Sequence, residues 1–440
     1  MRVVVVGTGH VGLITAVTMA AIGHDVVGVD DDEEKIGALG QGICPFFEPG
    51  LETLLEQMMS AGRLRFDVDP TNVIRGAEVI FFCVGTPARV SGEANLVALE
   101  RATRSIASSL SGPAVVVEKS TVPAGTAERL LRVLRLERPD LVDEIDVVSN
   151  PEFLREGQAV EDALHPDRIL VGARSVRGFE TMRRLFEPLT RDGSRLIETD
   201  MATAELAKHA CNAFLALKIS FANALARICE RADADVTAVV DVMGSDPRIG
   251  RAFLNAGLGY GGFCFPKDLQ AFERLAARLG YDFPLLREVE RINGEAVEAT
   301  FDKVKDALWN LEDKRIALLG LSFKPNTDDV RFSPALALAR RLLEEGATVV
   351  GYDPWAGANA KSELPGLAVA SSPDDAMAGA HCMVVCTEWD DFRSLDLRRA
   401  KGLLAQPIVV DGRNLFEPAT MKAEGFVYYG TGRATHHSSH

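Results

Sequence analysis

Hydrophobic positions at the start of the chain fall in short continuous runs rather than in alternation. Val3–Val6 runs straight into Gly7-Thr8-Gly9-His10-Val11-Gly12, an apolar stretch from Leu13 to Ile22 follows, and Gly23-His24 precedes Asp25–Asp30. Short β-branched runs around an apolar helix predict one strand–helix–strand unit. Further buried strands are expected at 79–84, 114–117 and 146–148, which predicts a parallel doubly wound sheet. From Thr199 to Arg231 there is no Gly or Pro. That stretch reads as one long helix, capped by Thr199 or Asp200 and broken near Ala232-Asp233. A second helical piece spans 285–311, and the segment between, 244–268, is Gly-rich and aperiodic. The plan then restarts: a strand at 315–319, a helix at 333–345 stopped by Gly346, a strand at 348–353, and an echo of 79–86 at 381–387. The expected fold is α/β, with two Rossmann-like doubly wound domains joined by a central helical region. The expected divisions are 1–198, 199–311 and 312–440.

The 440 residues include 48 basic and 63 acidic side chains, a net charge of −15. This balance disfavours a nucleic-acid binder, because a polyanion is repelled unless a basic patch exists. An anionic ligand must then be held by a few placed Lys, Arg and backbone N–H groups. No apolar run approaches the ~18 residues that span a bilayer. With no secretory leader pattern and seven cysteines lacking metal-ligand spacing, reduced thiols and a cytoplasmic setting are expected. Cys382 and Cys386 sit in an apolar stretch and read as strand fillers. The tail Thr435–His440 is a weak metal tract or a frayed end, and no metal is expected.

Five places could carry chemistry. Gly7-x-Gly9-x-x-Gly12 follows a strand, opens a helix and is answered by Asp30 at the end of the next strand. Glycines there allow backbone N–H groups to approach a pyrophosphate, and Asp30 can accept from a ribose 2′-hydroxyl. A 2′-phosphate would meet Asp30, Asp31, Asp32 and Glu33 together, so NAD is expected rather than NADP. Second is 257–268, where Gly261 and Gly262 would let a ligand lie on bare backbone. Pro266 at a first helical position would put Cys264 just ahead of a helix N-terminus, which favours thiolate. Asp268 there is either a general base or a complement to the helix dipole. Third, Lys208 and Asn212 are four apart and share a helix face. They can donate to a developing oxyanion, unless Lys208 is merely a solvated charge. Fourth, Glu152 stands on a loop after a strand as a candidate general base. Fifth, Lys324 and Arg331 lie in the polar turn 323–331 as candidate diphosphate contacts.

Taken in order, FCVGTP (82–87), KSTVP (119–123), NPEFLREG (150–157), HPDRILVG (165–172), 204–223, RIG (248–250), FLNAGLGYGGFCFPKD (253–268), FKPNTDDVR (323–331) and DGRNLF (411–416) resemble the nucleotide-sugar 6-dehydrogenase family over nearly the whole chain. The resemblance implies an NAD-binding domain, a central dimerisation region and a nucleotide-sugar domain. It assigns Lys35, Thr86, Thr121, Glu156, Lys267 and Arg331, with Gly7, Gly9, Val11, Gly12 and Asp30, to NAD. It assigns Glu152, Phe153, Leu154, Lys208, Asn212, Phe253, Leu254, Asn255, Ala256, Gly257, Gly261, Lys324 and Arg413 to the sugar nucleotide. Arg248 is implied to enter a neighbouring subunit's site, so a homodimer is expected. Three departures stand out: Phe263 where many relatives carry Ser, Phe332 where an acid is common, and His10 where Tyr is frequent.

The implied reaction takes a primary alcohol to a carboxylate, a loss of four electrons, while one NAD accepts two. A covalent handle is useful between the steps. Water positioned by Asp268, or neutral Lys208, takes the C6 hydroxyl proton. Cys264 captures the aldehyde and carries the resulting thioester, which Glu152 hydrolyses with water placed by Thr121. Lys208 and Asn212 hold the oxyanions. The PKD and RIG blocks favour UDP-glucose over GDP-mannose or a UDP-N-acetylhexosamine. Two other readings stay open here: a two-electron β-hydroxyacid dehydrogenase, which needs neither Cys264 nor a third domain, and a silent dinucleotide sensor.

Overall fold

The computed structural model describes residues 1–433, so the His-containing tail lies outside the described residues. The chain forms two compact units, one of Met1–Cys211 with Gln270–Tyr281, the other of Asn212–Leu269 with the chain from Asp282 onward.

The first unit is built on an eight-stranded sheet. Its strands are β1 (Arg2–Val6), β2 (Asp25–Val29), β3 (Leu64–Asp67), β4 (Val79–Phe82), β5 (Ala114–Glu118), β6 (Ile145–Ser149), β7 (Arg168–Gly172) and β8 (Arg195–Thr199). They lie in the order β3-β2-β1-β4-β5-β6-β7-β8. Successive side chains of a strand point to opposite faces, and both faces here are apolar. Val3, Val5, Phe81 and Val117 join one core cluster, and Val4, Ile80, Phe82 and Val116 the other. Covered faces explain why the strands read as continuous rather than alternating runs. One expectation is corrected: the sheet is not parallel throughout, because β7 meets β6 antiparallel at Ser149↔Gly172. The chain leaves β6 and returns through one short helix, Ala159–Leu164, without a full crossover. β3, β7 and β8 went unread in the sequence, since each carries charged residues.

The second unit carries six parallel strands: β9 (Arg315–Leu319), β10 (Thr348–Tyr352), β11 (Ala368–Val369), β12 (Cys382–Val385), β13 (Ile408–Asp411) and β14 (Val427–Gly430). Their order, β11-β10-β9-β12-β13-β14, repeats the first six positions of the other sheet, as the restart of the pattern predicts. Asp353, just past β10, occupies the place that Asp30 holds past β2. Its Oδ2 accepts from Leu321 N–H (2.8 Å), Ser322 N–H (3.0 Å), the Ser322 hydroxyl (3.0 Å) and the Trp389 indole (3.2 Å). Oδ1 accepts from Trp355 and Ala356 N–H at 3.0 and 2.8 Å. Cys382 and Cys386 are buried among these strands, and burial pushes both thiols up to about 12. They are strand fillers.

The long helix is Met201–Arg231, and Asp200 caps it by accepting from Thr203 N–H at 2.9 Å. Asp233, at the expected break, has φ +54°. Helices Cys264–Arg278 and Pro284–Leu308 follow.

The glycine turn after β1 is dictated by packing. Gly7 has φ +91°, and a Cβ on Gly12 would lie 1.8 Å from the Gly7 carbonyl oxygen. Gly12→Ala should therefore force the turn open and cost about 2 kcal/mol, read as a fall in Tm by calorimetry together with weaker NAD binding. An unchanged Tm would show that the turn tolerates a side chain.

Candidate active site

At the glycine turn, Gly9 has open space where a Cβ would stand, with nothing within 4 Å. The helix that starts there, His10–Ala21, has no side-chain cap, so its first N–H groups suit an anion. Asp30 accepts from Thr8 N–H at 2.7 Å and the Thr8 hydroxyl at 3.0 Å, and pairs with Lys35 Nζ at 2.9 Å. Burial is the largest single influence and pushes the Asp30 carboxyl up. The Thr8 N–H and Lys35 together outweigh it and hold the carboxyl below its ordinary value. An ionised acid beside an uncapped, open glycine turn fits a dinucleotide. Val11 lines the first turn, half-buried. The Thr86 hydroxyl donates to the Thr121 carbonyl at 2.8 Å, tying the loops after β4 and β5 together.

The loop after β6 carries a buried ion pair. Lys208 Nζ lies 2.9 Å from Glu152 Oε1, with side-chain exposures of 4% and 6%. This overturns the solvated-charge reading of Lys208. Glu152 Oε2 also accepts from Leu154 N–H at 2.5 Å. Burial pushes the Glu152 carboxyl up, but Lys208 prevails and holds it low, as a carboxylate. The Phe153 ring lies under the Arg168 guanidinium (3.9 Å) and near Lys208 Nζ (5.3 Å). The loop is pinned at both ends. Asn150 donates to the Leu170 carbonyl at 2.7 Å, and Glu48 accepts from Gly157 and Ala159 N–H at 2.8 and 2.7 Å. Glu156 stands just before that anchor, half-buried.

Sequence reasoning missed two groups here. Lys119 follows the all-buried β5, donates to Asn150 Oδ1 at 3.1 Å, and has its ammonium pushed down by burial. A lysine directly after an apolar strand was the available signal. Glu205, buried on the long helix, accepts from Gly125 and Ala127 N–H, both at 2.6 Å. It thereby caps the helix Thr126–Glu137 and fixes the loop that bears Thr121. One turn on, His209 Nε2 meets the Val122 carbonyl at 2.9 Å.

The second unit holds a second buried polar group. Asp268, 1% exposed, accepts from Asn212 Nδ2 at 2.6 Å through one oxygen and pairs with Lys267 Nζ at 3.0 Å through the other. Asn212 is thus held by a carboxylate, which answers the cost of an amide inside a helix. Lys208 and Asn212 are one turn apart on one helix. Cys264 is partly exposed and is the first residue of Cys264–Arg278, not a residue ahead of it. Pro266 falls at the third helical position instead of the first, still within the turn where no intrahelical N–H is needed.

The glycines near Cys264 need correcting as well. A Cβ on Gly261 would stand 2.3 Å from the Phe332 carbonyl, and one on Gly262 would stand 2.8 Å from the Phe323 ring. The protein's own 323–332 loop, rather than a ligand, occupies that bare backbone. Gly257 is likewise pressed against the Gly412 carbonyl, at 2.6 Å from a built Cβ. Phe263 lies against the Arg331 guanidinium at 4.7 Å and Lys267 Nζ at 5.3 Å. Arg331 also forks onto Asp329 at 2.6 and 2.9 Å. Lys324 Nζ stands 5.4 Å from the Phe323 ring. Arg413 donates to the Cys386 and Gly259 carbonyls at 2.7 and 3.2 Å. Phe253 has φ +64°, a strained conformation for a non-glycine residue. Leu254 and Ala256 are buried beside it, while Asn255 accepts from Arg251 at 2.7 Å. Arg248 pairs only with Asp246 among the described residues and leaves its side chain 87% exposed. Among the described residues no cluster of three or more His, Cys, Asp or Glu is placed to hold a metal.

Three family models match the chain: the NAD binding domain of the UDP-glucose/GDP-mannose dehydrogenase family over residues 1–190, its central domain over 202–295, and its UDP binding domain over 317–418. A UDP-glucose 6-dehydrogenase of Rhizobium meliloti (strain 1021) is 44% identical, covering 98% of this chain and 100% of the relative. One from Bacillus subtilis (strain 168) is 42% identical, covering 98% of each. Among solved structures, a UDP-glucose dehydrogenase from the archaeon Pyrobaculum islandicum superposes with a TM-score of 0.90 at 36% identity, over 98% of each chain.

Burial pushes the Glu205 carboxyl up to about 7 from its ordinary 4.5, against the pull of the N–H groups it caps. Between those values the folded chain keeps a proton that the unfolded chain has released. Stability therefore falls as pH rises through that window and levels off above it, by roughly 3 kcal/mol in all. In Glu205→Gln the fall in Tm across the same window should be much smaller in calorimetry. An identical slope would show that Glu205 does not titrate there.

Proposed function

The chain belongs to the UDP-glucose/GDP-mannose dehydrogenase family, and on that premise we propose that it oxidises UDP-glucose at C6 to UDP-glucuronate with NAD. The observation that carries this is one helix bearing Lys208, ion-paired to buried Glu152, and Asn212 one turn on, bonded to Asp268 near the start of the helix that Cys264 heads. The sequence relatives named above support the choice of sugar.

Gly7, Gly9, Val11 and Gly12 hold the NAD pyrophosphate, and Asp30 with Lys35 the adenine ribose. Thr86, Thr121, Glu156, Lys267 and Arg331 hold the remainder. Bound NAD supplies the two-electron acceptor for each of the two oxidations. Phe153, Leu154, Phe253–Ala256, Lys324 and Arg413 position UDP-glucose, while Gly257 and Gly261 give their bare faces to the protein's own backbone. The Lys208 ammonium, paired with Glu152, serves with Asn212 as a donor to developing oxyanions. That leaves water held by Asp268 as the better acceptor for the C6 hydroxyl proton. The Cys264 thiolate adds to the C6 aldehyde, forming a C–S bond and a thiohemiacetal; once oxidised, this is a thioester. Glu152, kept ionised by Lys208, takes a proton from water that Thr121 helps to place. The hydroxide adds to the acyl carbon, the C–S bond breaks, and Cys264 leaves as thiolate. A two-electron β-hydroxyacid dehydrogenase would need no such nucleophile.

A homodimer completes the reading. Phe214, Phe221 and Ile228 recur every seven residues along the long helix and are 61%, 48% and 60% exposed. Such an apolar stripe suits a second copy. The three divisions 1–198, 199–311 and 312–440 remain our proposed domains. No helix among the described residues is long and apolar enough to cross a membrane. With all seven cysteines free, we place the protein in the cytoplasm.

Two experiments test the scheme. Against a panel of UDP-glucose, GDP-mannose and UDP-N-acetylglucosamine, only UDP-glucose should turn over efficiently, releasing two NADH per sugar. Cys264→Ala should abolish acid formation while leaving NAD binding intact, and Glu152→Gln should accumulate an acyl adduct on Cys264 visible by mass spectrometry. One NADH per sugar, or a fully active Cys264→Ala, defeats the covalent route. Separately, inactive Arg248→Ala and inactive Cys264→Ala, mixed under conditions of subunit exchange, should recover about a quarter of wild-type activity, because each mixed dimer owns one complete site. No recovery would mean that Arg248 serves its own subunit.

A further inference from the structure

A cavity of about 240 Å³ in the first unit is lined by four arginines. Arg89 belongs to a tight hairpin closed by Arg89 N–H to the Glu93 carbonyl (2.7 Å) and by the Ala88↔Ala94 bridge. Arg129 stands in the first turn of Thr126–Glu137. Arg274 and Arg278 lie one turn apart on Cys264–Arg278. None of the four is ion-paired among the described residues, whereas adjacent Arg104 is paired with Glu100 at 3.2 Å. Arg274 and Arg278 are also a like-charge pair four residues apart, which weakens a helix rather than supporting it. Two carboxylates, Glu93 and Glu100, share the lining. They would repel a bare polyanion but readily accept from hydroxyl groups. Leu96, Val97 and Leu275 add an apolar wall.

Guanidinium groups for a phosphate, carboxylates for hydroxyls and an aliphatic wall for a ring face describe one class of ligand. We propose that this cavity binds a phosphorylated monosaccharide, at a position separate from those of NAD and the sugar nucleotide. None of its lining residues is among those assigned to either. The wall also includes Pro123, Ala124 and Thr126, which follow directly on Thr121, and half of the helix that Cys264 begins. A ligand here grips both segments, which makes this an effector position. The binding claim is independent of the catalytic reading, because the titration that decides it reads heat of binding and not turnover.

The test is isothermal titration of glucose 6-phosphate into the full chain, first alone and then saturated with NAD and UDP-glucuronate, with inorganic phosphate titrated in parallel. Wild type should bind the sugar phosphate at millimolar concentration or better. The double variant Arg274→Glu, Arg278→Glu should bind it at least about tenfold more weakly. That variant should keep its kcat and its KM for UDP-glucose in the absence of sugar phosphate. Absence of binding to wild type, equal binding to the variant, or binding abolished by saturating NAD and UDP-glucuronate would each overturn the proposal. Inorganic phosphate binding as tightly as the sugar phosphate would overturn the ligand class.

Discussion

An ammonium and a carboxylate buried together, Lys208 and Glu152, set the terms for the loops around them. Taking two ions out of water is costly, and their attraction repays it only when the geometry is tight and the remaining polar atoms are satisfied. Here Glu152 spends its second oxygen on Leu154 N–H, and the loop is clamped by Asn150 on one side and Glu48 on the other. Removing one partner would strand the other charge, at about 3–5 kcal/mol. Such a pair is poor value as a stabiliser compared with two apolar side chains. Its worth lies in fixing protonation: Lys208 holds Glu152 as a carboxylate without help from solvent.

The long helix extends the same logic along its length. Glu205, Lys208, His209 and Asn212 occupy successive turns, and each is committed to a backbone or carboxylate partner from a different part of the chain. Four polar groups buried on one helix would be ruinous if unpaired. Satisfied, they turn a packing element into a ruler that spaces functional groups at fixed rise.

Much of this was legible in the sequence. Local requirements write themselves into short spacings: Gly7 and Gly12 must be bare because one faces left-handed backbone and the other touches its carbonyl, and Asp30 must end the next strand. The long helix was visible because a 31-residue element cannot hide a Gly or Pro. What escaped depended on partners far away in the chain. Gly261 and Gly262 have the composition of a ligand platform, but the 323–332 loop fills it, and nothing near residue 261 announces that. Glu205 reads as an ordinary helical acid until the N–H groups of Gly125 and Ala127 appear beside it. The antiparallel entry of β7 likewise depends on the length of a return path rather than on strand composition.

Asp353 ends the second β–α–β plan where Asp30 ends the first, yet its two oxygens already receive six donors from its own surroundings. A carboxylate so fully subscribed has no lone pair left for a ribose. Asp30 receives four, one of them from the long Lys35 side chain, so the two copies of one architecture differ at this position and Asp353 has become a rivet. Tied down in this way, Asp353 staples the loop that leaves β9 to the turn that leaves β10, so the two segments hold each other in place.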